Sequence, residues 1–199
     1  MILFNCFIFK YYYTSTRSQL IKSIMNIFKS TLLSSLVLLV CSCAAIEIEP
    51  YSNSKMASFK LTQELNQKIA VSISASHDIN KLICRGIMSQ GGIDIYMPKE
   101  DTYTNYIQTA FITTLTEADK YDPKSKVVLT GDIHKLDFDT IKGNWNIAGK
   151  FKINKKKFNI NKHYSFPTSW DTQTACYNAA QSFRSSVTQF LLDTLEEAL

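Results

Sequence analysis

From Asn144 to Ile153 the chain alternates without a break: Trp145, Ile147, Gly149, Phe151 and Ile153 fall on one side, Asn144, Asn146, Ala148, Lys150 and Lys152 on the other. Successive side chains of a strand point to opposite faces, so this run demands a strand with one buried and one wetted face. A helix would scatter the same apolar residues around its axis. Gly143 opens the run, and Asn154-Lys155-Lys156-Lys157 closes it as a turn into Phe158, Ile160, Tyr164 and Phe166. Upstream, Val127, Leu129, Gly131 and Ile133 alternate before the phase slips to Leu136 and Phe138. That slip predicts a bulge near His134 and Lys135. Three neighbouring strands with short links predict an antiparallel meander that leaves one face wet.

The buried face needs a cover, and two helical patterns supply it. Tyr103, Ile107, Phe111, Leu115 and Ala118 step by three or four residues, with Ala110 alongside, after Pro98, Glu100 and Asp101 mark a helix start. The pattern stops before Asp122-Pro123. Ala175, Ala179, Phe183, Val187, Leu191 and Leu195 form a second stripe, widened by Phe190 and Ala198 and capped by Ser169 or Asp171. Trp145 and Trp170 read as packing residues of the core and the helix cap. An earlier strand lies in Ile69–Ala75, and Cys84 with Ile87 forms another short one. Gly86, Gly91 and Gly92 mark turns around Ile93–Tyr96. The expected fold is α+β: four to five mainly antiparallel strands with two helices on one face, in the order β-α-β-β-β-α.

Charge sets the N-terminus apart. The chain carries 22 Lys and Arg against 17 Asp and Glu, yet Lys10, Arg17, Lys22 and Lys29 all precede residue 43 and no acid does. Subtracting these four leaves 18 against 17, so four of the five net positive charges reside in the N-terminus and give no basis for nucleic-acid binding by the folded part. From Met25 the chain has one positive charge at Lys29, an apolar stretch from Leu32 to Val40 interrupted by Ser34 and Ser35, then small residues. This is the three-part pattern of a secretory signal, with an apolar core about half the ~20 residues that span a bilayer. Residues 1–42 are assigned to it, either with a long basic region or with a true start at Met25.

Val40-Cys41-Ser42-Cys43 resembles the lipobox of bacterial lipoproteins, in which small residues precede a Cys that is acylated and becomes the mature N-terminus. Cys43 fits the acylated position because Ser42 precedes it. Cys41 departs from the Ala, Ser or Thr usual two residues before the cleavage point, and an ordinary secretory signal cut nearby is the competing reading. The resemblance implies a membrane anchor of several acyl chains at Cys43. Ala44, not Asp, in the next position implies the outer membrane of a Gram-negative bacterium, on its periplasmic side. Residues 43–60, with Pro50, Ser52, Asn53 and Ser54, are expected to be a lipidated tether, leaving 61–199 as a single periplasmic domain.

Cysteine usage accords with that compartment. Once Cys6, Cys41 and Cys43 are set aside, Cys84 and Cys176 remain. An even remainder in an oxidising compartment predicts one disulfide between them, the alternative being two buried thiols. Neither belongs to a C-x-x-C pair, so zinc and redox roles lack support.

Sites for chemistry are sparse. Asp132, His134, Asp137 and Asp139 have ligand-type side chains, but strand alternation alone would place such residues on a wet face, and no metal or cofactor is expected. Ser52-x-x-Lys55 has the spacing of a Ser-Lys pair without the burial that would lower the lysine pKa. His77 and His163 have no nucleophile or acid at motif spacing, and the expected chain is not an enzyme. Lys150, Lys152, Lys155, Lys156, Lys157 and Lys162 concentrate positive charge on one hairpin. They suit lipopolysaccharide phosphates, anionic headgroups or an acidic protein, and equally a solvated turn whose lysines discourage edge pairing.

A lipobox, a short tether and a β-α-β-β-β-α domain together resemble small Gram-negative envelope lipoproteins: LptE-like lipopolysaccharide-assembly lipoproteins, YajG-like lipoproteins and auxiliary lipoproteins of ABC-type lipid transport systems. Leu129-Thr-Gly131-Asp-Ile133, Gly143-Asn-Trp145 and Ala175-Cys176 look like elements of an uncharacterised family of that shape. The resemblance rests on layout and transfers no site residue. It implies a non-enzymatic outer-membrane lipoprotein binding a protein or lipid partner in envelope assembly or maintenance. An accessory subunit of a lipid transporter and a small hydrolase are the alternatives.

Overall fold

The computed structural model describes residues 45–76, 80–85, 92–98 and 101–199. The signal, the upstream extension, Cys43 and His77 lie outside them. Among the described residues the elements are β1 (Ile46–Glu47), α1 (Lys55–Glu64), β2 (Ala70–Ala75), β3 (Lys81–Cys84), β4 (Ile93–Tyr96), α2 (Tyr103–Glu117), β5 (Val128–Asp139), β6 (Asn144–Ile153), β7 (Lys156–Ser165) and α3 (Thr172–Ala198).

The fold is α+β and mostly antiparallel. Its main sheet runs β2-β5-β6-β7, and a smaller sheet runs β1-β4-β3. The β5-β6-β7 meander is antiparallel throughout, with the register break between Ile133 and Lys135. β2 joins β5 in parallel, Ala70 beside Val128 and Ala75 beside Ile133. A parallel pair needs a crossover, and α2 provides it. The main-sheet order β2-α2-β5-β6-β7-α3 is the β-α-β-β-β-α order expected from periodicity. The additions are α1 and the second sheet, so the described residues hold three helices and two sheets where two helices and one sheet were expected.

Residues 45–60 correct the tether assignment. Ile46 pairs with Ile95 in β4, Ile48 is buried, and the Tyr51 hydroxyl bonds to Thr114 Oγ1 (2.9 Å) and Thr188 Oγ1 (3.2 Å), tying α2 to α3. Asn53 Oδ1 accepts from Thr114 Oγ1 at 3.1 Å, and α1 buries Ala57, Ser58 and Leu61 against α2 and α3. The folded unit therefore reaches back to β1, and the domain boundary at residue 61 falls inside a helix.

Helices cover one face of the main sheet, which we call the inner face. Thr102 Oγ1 accepts from Asn105 N to start α2, and the Asp171 carboxylate accepts from Thr174 N to start α3. Hydrogen bonds from the Thr174 side chain and from its backbone N–H hold the Asp171 carboxyl below the usual carboxylate range. Both apolar stripes are buried as their spacing requires. Phe183 of α3 centres the core, its ring 5.2 Å from Tyr103, 5.1 Å from Tyr106 and 4.6 Å from Trp145. Trp145 is fully buried, and its indole N–H donates to Ala179 O (2.9 Å) and Ser182 Oγ (3.1 Å) on α3. Burying a side chain of this size contributes about 1.5–3 kcal/mol. Trp170 does not pack on the cap: it is exposed.

On the inner face Phe151 lies in a slot between two glycines, Gly131 beside it on β5 and Gly149 on its own strand. A Cβ on Gly131 would stand 2.5 Å from Phe151 Cε1, and one on Gly149 2.7 Å from Cε2. Gly143 has φ +64°, the left-handed turn that starts β6, where a side chain would collide with Phe166 O.

The Cys84 and Cys176 sulfurs are bonded, with a Cα–Cα separation of 5.8 Å, and both residues are fully buried. The bond fastens the end of β3 to the second turn of α3.

Candidate functional site

Among the described residues, no helix covers the outer face of the main sheet. Its parity collects Ser72 and Ser74 from β2, Thr130 and Asp132 from β5, Lys150 and Lys152 from β6, and Lys157 and Asn159 from β7. A shallow groove of about 340 Å³ runs across them, with Ser74, Thr130, Asp132, Lys150, Lys152 and Lys157 along it.

Register divides the six lysines of the hairpin. Lys150 pairs with Asn159 and Lys152 with Lys157, which places these three amines on the outer face. Lys156 stands opposite Ile153 and Lys162 opposite Ile147, on the inner-face parity of the edge strand, and Lys155 is in the turn. The Lys156 ammonium lies 6.0 Å from the centroid of Phe158. One continuous patch is thus resolved into a three-lysine face and an edge, because a hairpin alternates sides however uniform its composition.

None of the six lysines makes an ion pair among the described residues. The hydroxyls beside them are engaged with backbone: Ser74 Oγ donates to Gly131 O (3.1 Å) and Thr130 Oγ1 to Lys152 O (3.3 Å). Asp132 is approached by Ser76 Oγ at 3.4 Å. Three unpaired, exposed ammonium groups beside hydroxyls and an amide form a surface for a multiply charged anion, held by attraction rather than enclosure.

The other candidates are engaged elsewhere. Asp137 lies 3.6 Å from the Lys135 ammonium and accepts from Asn146 Nδ2, while Asn146 Oδ1 meets His163 Nδ1, a polar ladder across three strands. Asp139 accepts from the backbone N–H groups of Ile141 (2.9 Å) and Lys142 (3.0 Å), so it shapes the β5–β6 turn. His134 sits at the bulge and is exposed. Among the described residues, no three His, Cys, Asp or Glu side chains converge on a possible metal position. Ser52 Oγ accepts from Arg184 at 2.8 Å, which gives it a structural role beside Lys55.

No family model matches the chain. No curated protein matches it either. Solved structures do: one, an uncharacterised protein, aligns at a TM-score of 0.51 with 8% identity, over 78% of this chain and all of its own. Protein XCC0632 from Xanthomonas campestris, of the family DUF330, aligns at 0.42 with 13% identity, over 78% of this chain and 97% of its own. At these identities the first likeness speaks for the fold alone.

Sequence reading missed Ser74, Thr130 and Asn159 as neighbours of the lysines. Alternation gives each residue its face, but only the register of β2 and β5 against β6, settled by tertiary packing, gives its neighbours.

Proposed function

We propose that the chain is a non-enzymatic lipoprotein of the Gram-negative envelope, anchored through Cys43 to the periplasmic side of the outer membrane, where it binds a protein or lipid partner in envelope assembly or maintenance. The observation that carries this reading is Ser42-Cys43 ahead of a fold whose first strand begins at Ile46. The lipidated residue is then the first of a module that needs no other membrane element, and none of its described helices is long and apolar enough to cross a bilayer. The three-lysine face offers an anionic partner three ammonium groups against a single carboxylate in the groove, that of Asp132. Its two hydroxyls, Ser74 and Thr130, donate to backbone carbonyl oxygens.

Two strains test this: one producing only the Cys43→Ala protein, the other only a Lys150→Glu, Lys152→Glu, Lys157→Glu protein. Intact mass of the wild-type protein from the membrane fraction should show acyl chains at Cys43, and both variants should leave the envelope abnormally permeable to detergents. A wild-type chain with an unmodified Cys43 would sink the anchor, and normal permeability with the triple variant would sink the lysine face.

A further inference from the structure

The strands and helices leave one end of the fold carrying four exposed large apolar side chains. Ile83 is the last residue but one of β3 (54% exposed), Ile141 tops the β5–β6 turn (65%), Trp170 sits in the loop before α3 (80%), and Tyr177 lies in the second turn of α3 (54%). Several contacts place these segments together. Thr140 Oγ1 donates to Arg85 O at 2.6 Å, Phe166 N donates to Gly143 O at 2.7 Å, and the Cys84–Cys176 bond joins the end of β3 to the start of α3.

The described chain begins near that same end, with Ala45 and β1. β1 runs parallel to β4, Ile46 beside Ile95, and the start of β4 pairs Ile93 with Cys84. Moving back from Ile46 leads towards Cys84 and Arg85. Only Ala44 and Ala45 stand between Cys43 and Ile46, a reach of at most about 10 Å.

We propose that this end is the membrane-facing end of the protein, with Trp170, Ile141, Ile83 and Tyr177 entering the interface of the bilayer that receives the acyl chains of Cys43. This rests on the anchor reading above. Trp and Tyr favour the water–lipid interface because each joins an apolar ring to a polar N–H or O–H group. Exposed Arg85 and Lys142 rim the cluster, as anionic headgroups require. The carboxylates of the same end are engaged internally: Asp139 in its turn, Asp171 at the α3 cap, and Asp94 with the Lys81 ammonium (3.1 Å) and the Tyr96 hydroxyl (2.8 Å). With no tether between Cys43 and β1, the anchor holds this end at the surface.

Orientation also decides what the lysine face can meet. Lys152 is eight residues along β6 from Asn144, about 27 Å of strand. Screening acts over about 8 Å at physiological salt, so these lysines address a partner beyond the anchoring membrane.

The test uses the acylated full-length protein, its Cys43 mass confirmed, reconstituted in vesicles of phosphatidylethanolamine and phosphatidylglycerol. Subtracting the fluorescence of Trp170→Phe from wild type isolates Trp170 from buried Trp145. Trp170 should lose acrylamide accessibility several-fold relative to soluble Cys43→Ala protein and be quenched by brominated lipid. In the Trp170→Phe background, the indole of Phe59→Trp on α1 should stay open to acrylamide. An acylated protein whose Trp170 remains fully accessible, or whose Phe59→Trp indole is the one quenched, overturns the orientation and leaves the anchor standing. A Cys43 without acyl chains overturns the anchor and the orientation with it.

Discussion

Replacing Gly131 with alanine tests how tightly the inner face is packed. The added Cβ would lie 2.5 Å from Phe151 Cε1, 2.8 Å from Cδ1 and 2.9 Å from Ile73 Cδ1. Carbon atoms prefer about 3.5–4.0 Å, so the ring must retreat by about 1 Å. Retreat is opposed on its far side by Gly149, where the backbone is already close, and by the rings of Phe158 and Phe190 at 5.7 and 5.8 Å. Overpacking of this kind costs about 1–3 kcal/mol, while the loss of unfolded-state freedom on Gly→Ala returns about 0.4–1 kcal/mol. The net cost should be about 0.5–2 kcal/mol. Phe151→Leu alone should cost about 1–2 kcal/mol as a large-to-small change. Together they should cost at least 1 kcal/mol less than the sum, roughly the clash relieved, because the smaller side chain vacates the space the new methyl needs. Urea unfolding followed by circular dichroism measures all four corners of the cycle. Additivity within about 0.5 kcal/mol would refute the slot.

The disulfide and the buried tyrosines give two further expectations. Closing a loop of 92 residues restricts the unfolded chain by about 4–5 kcal/mol on the chain-entropy account, so Cys84→Ser with Cys176→Ser should lower the urea midpoint strongly. A loss below about 1 kcal/mol would contradict that magnitude. Burial pushes the Tyr103, Tyr106 and Tyr164 hydroxyls above their ordinary range, and for Tyr164 the bond to Asp193 (2.9 Å) adds to the shift. Their stabilisation is complete below the unfolded pKa of about 10 and is lost as pH rises above it. Thermal unfolding should therefore be flat to about pH 9 and fall beyond it, less steeply in Tyr164→Phe; an unchanged alkaline limb in that variant would contradict the assignment.

Legibility followed the length of each pattern. β5, β6, β7, α2 and α3 each repeat a period often enough for burial to dominate, and the slip at His134 located a real bulge. β1 has two residues and cannot show a period. α1 was hidden for a different reason: it exposes Met56 and Phe59 while burying Ala57, Ser58 and Leu61, so its apolar residues are split between two sides and form no amphipathic stripe. Ser52, Asn53 and Ser54 looked like linker because they are small and polar, yet Ser52 bonds to Arg184 and Asn53 to Thr114. Trp170 went the other way, a large ring at a helix start that is left 80% exposed. The lysine cluster was visible as composition, but its division between two sides needed the register of β7.

α3 supplies the last 27-residue element of the chain, and it covers β6 and β7 and accepts the Trp145 indole bond. A ribosome makes it after every strand of the main sheet. Until then the nascent meander has an oily side with no lid, and Trp145 has no acceptor. The core is therefore complete only after α3 has emerged, and a truncation that removes α3 should yield an aggregate.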